Sequence, residues 1–479
     1  MTPQPGREVL LVGPGSFEAV RHYYPQVLGA RVHPLVERFL AMDHGQVAAH
    51  HARRHPEANP GAVARVLATV PRHFHWAGAD LFNVATEDGR RHLVVLETNS
   101  SPSGQKSMPR GASEQPSCGY RRLIEGSFLP CAAASPIDGE LAVVYDKNAM
   151  ECSGYAAALA DATGERVLLV PVAEADRDPP LRVHAGGVLH VRGPAGWRPV
   201  RAALRYLTQQ PWTRLPPVTA TVIYNPVLAC LAGGRNKALA ARAYADLNAE
   251  VATTGLRIET PETLPLVPLA EVRAMVAGLG GAAVIKTPYS NAGQGIFTVV
   301  GPGELDAFMR LAEPGARFVV QALVGHAAWD SRAAPRLHHV GTVPCARGEV
   351  HVADLRFVVS AGPQGFSPAA LYARRARRPL RASLDGVASR QVLLTNLSVR
   401  APDGSWRQET ERLLPVDHAH FDALGLGLDE LVDAYLQTVL AVLAIDRMAA
   451  RLLRADGSFD HAGFAALNPD PRLAAALQA

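Results

Sequence analysis

Cysteine is scarce and shows no pairing pattern. Cys118, Cys131, Cys152, Cys230 and Cys345 are odd in number, far apart and include no C-x-x-C. That argues against a disulfide framework and against a zinc knuckle, and makes a reducing cytoplasm the expected compartment. Long hydrophobic runs are missing too. The apolar stretch near the start, residues 9–12, is too short for a signal core or a membrane span, so no export or anchoring is expected. A strong charge of one sign is also lacking. The net charge is +4 over 479 residues, with Lys and Arg dispersed except in one run near 374–378, so no nucleic-acid partner is required. Nucleotides and small acids remain natural ligands. There is no internal repeat and no low-complexity linker. What is present, 48% hydrophobic and 19% charged residues, is enough to bury several cores, and roughly three domains are expected for this length.

Residues 8–12 read as a buried strand ending in Gly13-Pro14-Gly15, and helical periodicity with a His-rich interruption runs from 32 to 70. Two strands are expected between 79 and 99 around the turn Glu87-Asp88-Gly89-Arg90, followed by a polar Gly/Ser/Pro loop. Strands at 141–145, 166–172 and 188–191, with a helix at 153–163, suggest a βαβ layer. Further on come a helix at 237–247, a hairpin of 282–286 and 296–300, and strands at 317–323, 350–359, 369–373 and 392–397. A long apolar helix at 428–453 follows. The fold class is α/β shading into α+β, with mixed sheets and flanking helices.

Residues 283–296 place Lys286 at the end of a buried strand, then a loop containing Ser290, Asn291, Gly293, Gln294 and Gly295, then a second strand. Such a loop lets backbone N–H groups approach phosphate oxygens, and a partly buried lysine supplies compact positive charge. A Gly-rich hairpin turn with a snorkelling lysine is the plainer alternative for this segment alone. Lys237 stands upstream in Gly233-Gly234-Arg235-Asn236-Lys237 at a helix start, and Gln321-Ala322-Leu323-Val324 stands downstream. In this order the segments resemble the ATP-grasp superfamily, which includes glutathione synthetase and D-alanine ligase. The resemblance implies that Lys237 and Lys286 bind nucleotide phosphates, that the glycine loop covers them, and that Gln321 to Val324 form the adenine hinge. Gln321 stands where that family commonly has an acidic residue.

Asp354 and Arg356 share one strand face, because side chains alternate. The segment resembles the family's D-x-R strand, whose arginine orients phosphate; an ordinary cross-strand ion pair is the alternative. Arg374, Arg375, Arg377 and Arg378 follow, with Arg374 or Arg375 expected to point inward, and Asn396 in Leu394-Thr395-Asn396 resembles the family's segment near the metal. The usual downstream E-x-N strand is incomplete near Asn468, where Ala466 replaces the glutamate. Its counterpart appears near the start: Gly78-Ala79-Asp80, a hairpin, then Glu97-Thr98-Asn99-Ser100-Ser101-Pro102-Ser103-Gly104. This resembles the family's terminal metal loop and implies a circular permutation, with Asp80, Glu97, Asn99, Asp354 and Asn396 as metal ligands.

The expected units are then 1–130, an N-terminal region with the permuted hairpin; 131–225, a substrate-side α/β domain; 226–325, the central subdomain; and 326–479, the C-terminal subdomain with a helical tail. The resemblance implies an ADP-forming carboxylate–amine ligase that uses ATP with Mg2+, or Mn2+ in its place, and an acyl-phosphate intermediate. Lys286, Arg356, Arg374 and Arg375 would stabilise the transferred phosphoryl group. Small carboxylate and amine substrates, amino acids or peptides, are expected, with no membrane partner and with a homodimer as the commonest assembly. A small-molecule kinase and a non-catalytic nucleotide-binding regulator are the alternatives. Gly13-Pro14-Gly15 is taken as a plain turn, and His50, His51 and His55 as a solvated helix face.

Overall fold

Mostly apolar runs form the parallel part of a seven-stranded sheet, as expected for strands covered on both faces. In the computed structural model, which describes residues 8–111, 114–115, 117–173, 176, 178–193, 196–290, 293–400 and 406–477, these strands are Val167–Pro171, Glu140–Tyr145, Gly196–Tyr206 and Val222–Tyr224, in that spatial order. Asn291 lies outside the described residues. Strand Glu140–Tyr145 connects through helix Ala149–Thr163 to a neighbour on one side, whereas Gly196–Tyr206 lies on its other side. The carboxyl ends of these two strands therefore form a topological switch point, where open α/β sheets bind ligands.

The expected buried strand at 8–12 is instead a short edge strand, Leu10–Val12, antiparallel to Val167–Pro171, with Leu10 and Leu11 exposed. Strand Gly196–Tyr206 was not foreseen; its first half alternates exposed and half-buried residues through Arg198 and Pro199 and reads as irregular.

The second sheet is antiparallel, in the order Thr263–Pro268, Arg317–Ala322, Ala283–Lys286, Ile296–Val299. Helices Val272–Gly278 and Pro302–Leu311 complete its core, bringing Val276 and Phe308 against Phe318 of the sheet. The third sheet brings together segments far apart in sequence. Trp76–Ala85 lies between Arg91–Asn99 and Ala353–Gly362, and Ala353–Gly362 continues into the hairpin with Gly365–Arg375. The first of these pairings closes through residues 86–90, where Gly89 at φ 81° supplies the left-handed turn position. The 24-residue helix Leu428–Arg451 packs behind this sheet, with Tyr435 stacked 5.8 Å from Phe357.

The strand expected at 392–397 is a helix, Ser389–Leu393, followed by an extended segment; a short apolar run does not separate the two by periodicity. No helix among the described residues is long and apolar enough to cross a membrane.

Candidate active site

The second and third sheets face one another across a cleft. On one wall Lys286 ends its strand almost fully buried, donating from Nζ to Gln321 Oε1 at 2.8 Å and to the Leu96 carbonyl at 3.2 Å. Lys237 opens helix Lys237–Val251, whose first turn is capped by Asn236; its Nζ donates to the Ser290 carbonyl at 2.6 Å and stands 3.7 Å from Glu97 Oε2. Burial pushes the Lys286 ammonium down to about 8, with Lys237 adding to the shift and Glu97 opposing it. Burial lowers Lys237 as well, again against the field of Glu97. Two buried ammonium groups thus share one nearby carboxylate, and an incoming anion would relieve the cost.

The glycine loop is built for close backbone approach. Gly293 and Gly295 have φ of 73° and 64°, and a Cβ at Gly295 would meet Thr287 Oγ1 at 1.8 Å. A Cβ at Gly293 would meet Asn396 Oδ1 at 2.8 Å, so the loop lies against the segment after helix Ser389–Leu393. Gln294 is exposed on this loop, whereas Ser290 is half-buried. Beneath it Val284, Ile296, Ala322, Leu323, Val324 and Leu393 line an apolar pocket suited to a planar ring. The Gln321 side chain is engaged by Lys286 and Thr263 Oγ1.

The other wall is set by strand register. Asp80 lies directly opposite Arg356, and Asp354 opposite Arg374. Arg356 holds Asp80 through two bonds, Nε to Oδ1 at 2.6 Å and Nη2 to Oδ2 at 2.7 Å. Arg374 holds Asp354 in the same bidentate way, with Nε to Oδ1 at 2.9 Å, and also stands 3.1 Å from Asp80 Oδ2. Burial disfavours ionised Asp80, but Arg356 and Arg374 outweigh it and hold the carboxyl well below the usual range. The plainer alternative for this strand therefore holds, since the pairs are cross-strand ion pairs; they also face the cleft.

A β-bulge then places Glu97. The register of Arg91–Asn99 against Trp76–Ala85 slips between Leu81 and Asp80, leaving Leu96 unpaired and setting Glu97 opposite Asp80. Without the extra residue the alternation would turn Glu97 toward the opposite face; with it, both the Leu96 carbonyl and the Glu97 carboxylate reach the cleft. Asn99 Nδ2 lies 3.4 Å from Glu97 Oε1. The loop after Asn99 folds back over Gly78, where a Cβ would meet Pro102 Cβ at 2.6 Å.

Lys237, Lys286, Glu97, Asn99, Asp80, Asp354, Arg356, Arg374 and Asn396 all line one connected cleft. Arg374 rather than Arg375 points inward, as strand alternation requires; the Arg375 carbonyl accepts from Arg412 Nη1 at 2.7 Å. Asn468 follows a helix, His461–Leu467, and bonds to Asn236 and Tyr289, so no strand forms there. The histidines are not a solvated face: His51 is 8% exposed, its Nδ1 is 2.9 Å from Asp433 Oδ1, and His55 Nε2 is 3.3 Å from Oδ2. Sequence reading missed Arg235, which bonds to Asn99 Oδ1 at 3.4 Å and to the Ser101 carbonyl at 3.3 Å; its only signal was its place two residues before Lys237.

The paired sheets, one bearing lysines and a glycine loop and the other carboxylates, give the chain a mixed α/β fold. No family model matches the sequence, and no curated protein matches it. Among solved structures, the chain is similar to a protein assigned as gamma-glutamylcysteine synthetase from Methylobacillus flagellatus, with 13% identity, a TM-score of 0.49, and coverage of 88% of this chain and 99% of that one. It is similar to a glutathione synthetase-like effector from Globodera pallida, with 9% identity, a TM-score of 0.40, and coverage of 73% and 87%. It is also similar to a RimK domain ATP-grasp protein from Sphaerobacter thermophilus, with 16% identity, a TM-score of 0.30, and coverage of 53% and 95%.

Proposed function

We propose that the chain is an ADP-forming ligase that joins a carboxylate to an amine through an acyl phosphate. The observation that carries this reading is the bulge that turns Glu97 toward two buried lysines, beside a loop whose glycines exclude any Cβ. The donors fit the groups involved. Lys237, Lys286 and the loop N–H groups suit nucleotide phosphates, the pocket of Val284, Ile296, Leu323 and Leu393 suits adenine, and the hard oxygens of Glu97 and Asn99 suit magnesium or manganese. Such a metal would supply charge that neutralises phosphate oxygens. Asp80 and Asp354 would join as ligands only by exchanging Arg356 and Arg374.

ATP enters as a substrate. Attack of a carboxylate oxygen on the γ-phosphorus expels ADP, and Lys286 and Arg356 offset charge on the transferred group. The amine nitrogen then attacks the acyl carbon, inorganic phosphate leaves, and the nitrogen loses its proton, with the glycine loop excluding water meanwhile. Pairing of the N-terminal hairpin with Ala353–Gly362 supports a circularly permuted chain order, in which the metal strands precede the phosphate-binding lysines. Amino acids or peptides are the substrates this reading favours, and a homodimer the assembly. The test is product analysis. A ligase needs both acid and amine for sustained ADP release and yields an amide, whereas a kinase yields a stable phosphorylated product without the amine. Occupation of Asp80 and Asp354 by arginines favours the regulator as second reading; it would bind ATP and release no ADP with any pair.

A further inference from the structure

The cleft does not end at Glu97. Past Glu97, Arg356 and Arg374 it opens into a cavity of about 420 Å3 at the switch point of the parallel sheet, reached by the loops after Tyr145 and Tyr206. Its charges do not balance. Lys106 is 8% exposed; its Nζ bonds to the neutral Asn148 Oδ1 and lies 4.9 Å from the Tyr24 ring centre. Lys147, beside Asn148 on the loop after Tyr145, has no hydrogen-bond or ion-pair partner for its Nζ among the described residues, and Arg235 also lines the cavity.

The carboxylates nearby are already engaged. Asp146 accepts from the Thr208 and Gln209 backbone N–H groups at 2.6 and 2.8 Å and pairs with Arg214 at 3.2 Å. Glu151 accepts from the Gly104 and Gln105 N–H groups, each at 2.8 Å, and from Ser103 Oγ. Burial and the neighbouring Arg235 push Lys147 down to about 8, against the opposing field of Asp146.

We propose that this cavity selects a carboxylate donor bearing a second anionic group: the reacting carboxylate sits at the Glu97 and Arg356 end, and the second anion, a carboxylate or a phosphate, sits on Lys147 and Lys106. The two ends are distinct, because Glu97, Arg374 and Asn396 also line the apolar pocket whereas Lys106 and Lys147 do not. The placement of the reacting end rests on the ligase reading; the anion site itself does not. A long ammonium side chain presents three donors to an incoming oxyanion, and two of them on one wall discriminate strongly against a neutral amide of the same shape.

The test is a calorimetric titration of the full chain, with magnesium and a non-hydrolysable ATP analogue present, using glutarate, glutarate monoamide and 3-phosphoglycerate. At least one dianion should bind ten-fold or more tighter than the monoamide, and the tighter of the two identifies the anion as carboxylate or phosphate. Lys147→Gln should erase the preference and Lys147→Arg should keep it. Lys106→Gln should weaken it, as a second variant in case the first fails to fold. Equal binding of all three ligands, no binding of either dianion, or an undiminished preference in Lys147→Gln would each overturn the proposal. Dianion preference without ADP release under any condition would sink the ligase reading and leave the anion site standing.

Discussion

Lys286 should make nucleotide binding depend on pH in an unusual window. Its ammonium is held at about 8 in the folded protein against an ordinary value of 10.5, mainly because it is buried. A shift of that size corresponds to about 3 kcal/mol of unfavourable charging. The sign follows from linkage: between about 8 and 10.5 the unfolded chain binds more protons than the folded one, so this residue makes stability rise with pH across that window. Phosphate oxygens beside Nζ favour the charged form and return its value toward 10.5, so nucleotide binding near pH 8 should take up about half a proton, and above it affinity should fall by up to about ten-fold per pH unit. Titration calorimetry with MgATP in buffers of different ionisation enthalpy, from pH 7 to 9.5, reads both quantities. In Lys286→Met the proton uptake should vanish. A flat affinity across that range with no proton uptake in the native protein would refute the assignment of Lys286 to the phosphates.

Gly295→Ala puts a Cβ 1.8 Å from Thr287 Oγ1 at φ 64°, a conformation costing about 1–2 kcal/mol even in open space; it should reposition the loop and weaken nucleotide binding at least ten-fold in the same calorimetry, and unchanged affinity would contradict the cover role. Asp80→Asn leaves Arg356 and Arg374 with one carboxylate between them in a buried setting and should cost about 3–5 kcal/mol in urea unfolding, far more than a surface charge change. The His55 ring is held above its ordinary 6.5 by its hydrogen bond to Asp433, so the stability it contributes is present below 6.5 and lost as pH rises through its folded value; melting scans at pH 6 and 8 should show that fall, and Asp433→Asn should remove it.

Local features of the site were legible wherever spacing along the chain carried them. The hairpin of residues 76–99 announced itself through its turn, Lys286 through the strand before a glycine loop, and the shared face of Asp354 and Arg356 through alternation. Features created by register were not. No local pattern says that Asp80 will lie opposite Arg356, and only that pairing shows the carboxylate to be neutralised. The bulge at Leu96 is equally silent in sequence, although it decides which face Glu97 takes. Basic residues scattered along the sequence, such as Lys106, Lys147 and Arg235, read as ordinary solvated residues until the switch point of the parallel sheet gathers them around one cavity. The segment at 392–397 failed for a different reason: Val392 and Leu393 fill a small core from a helix, and an apolar run this short has no periodicity that separates helix from strand.

The most direct test of the central claim is ADP release from ATP and magnesium with pooled amino acids, compared between the native chain and Glu97→Ala. The ligase reading predicts amino-acid-stimulated release in the native protein and its loss in a variant that still folds. Equal release from both would contradict the role assigned to Glu97 and, with it, an N-terminal metal strand.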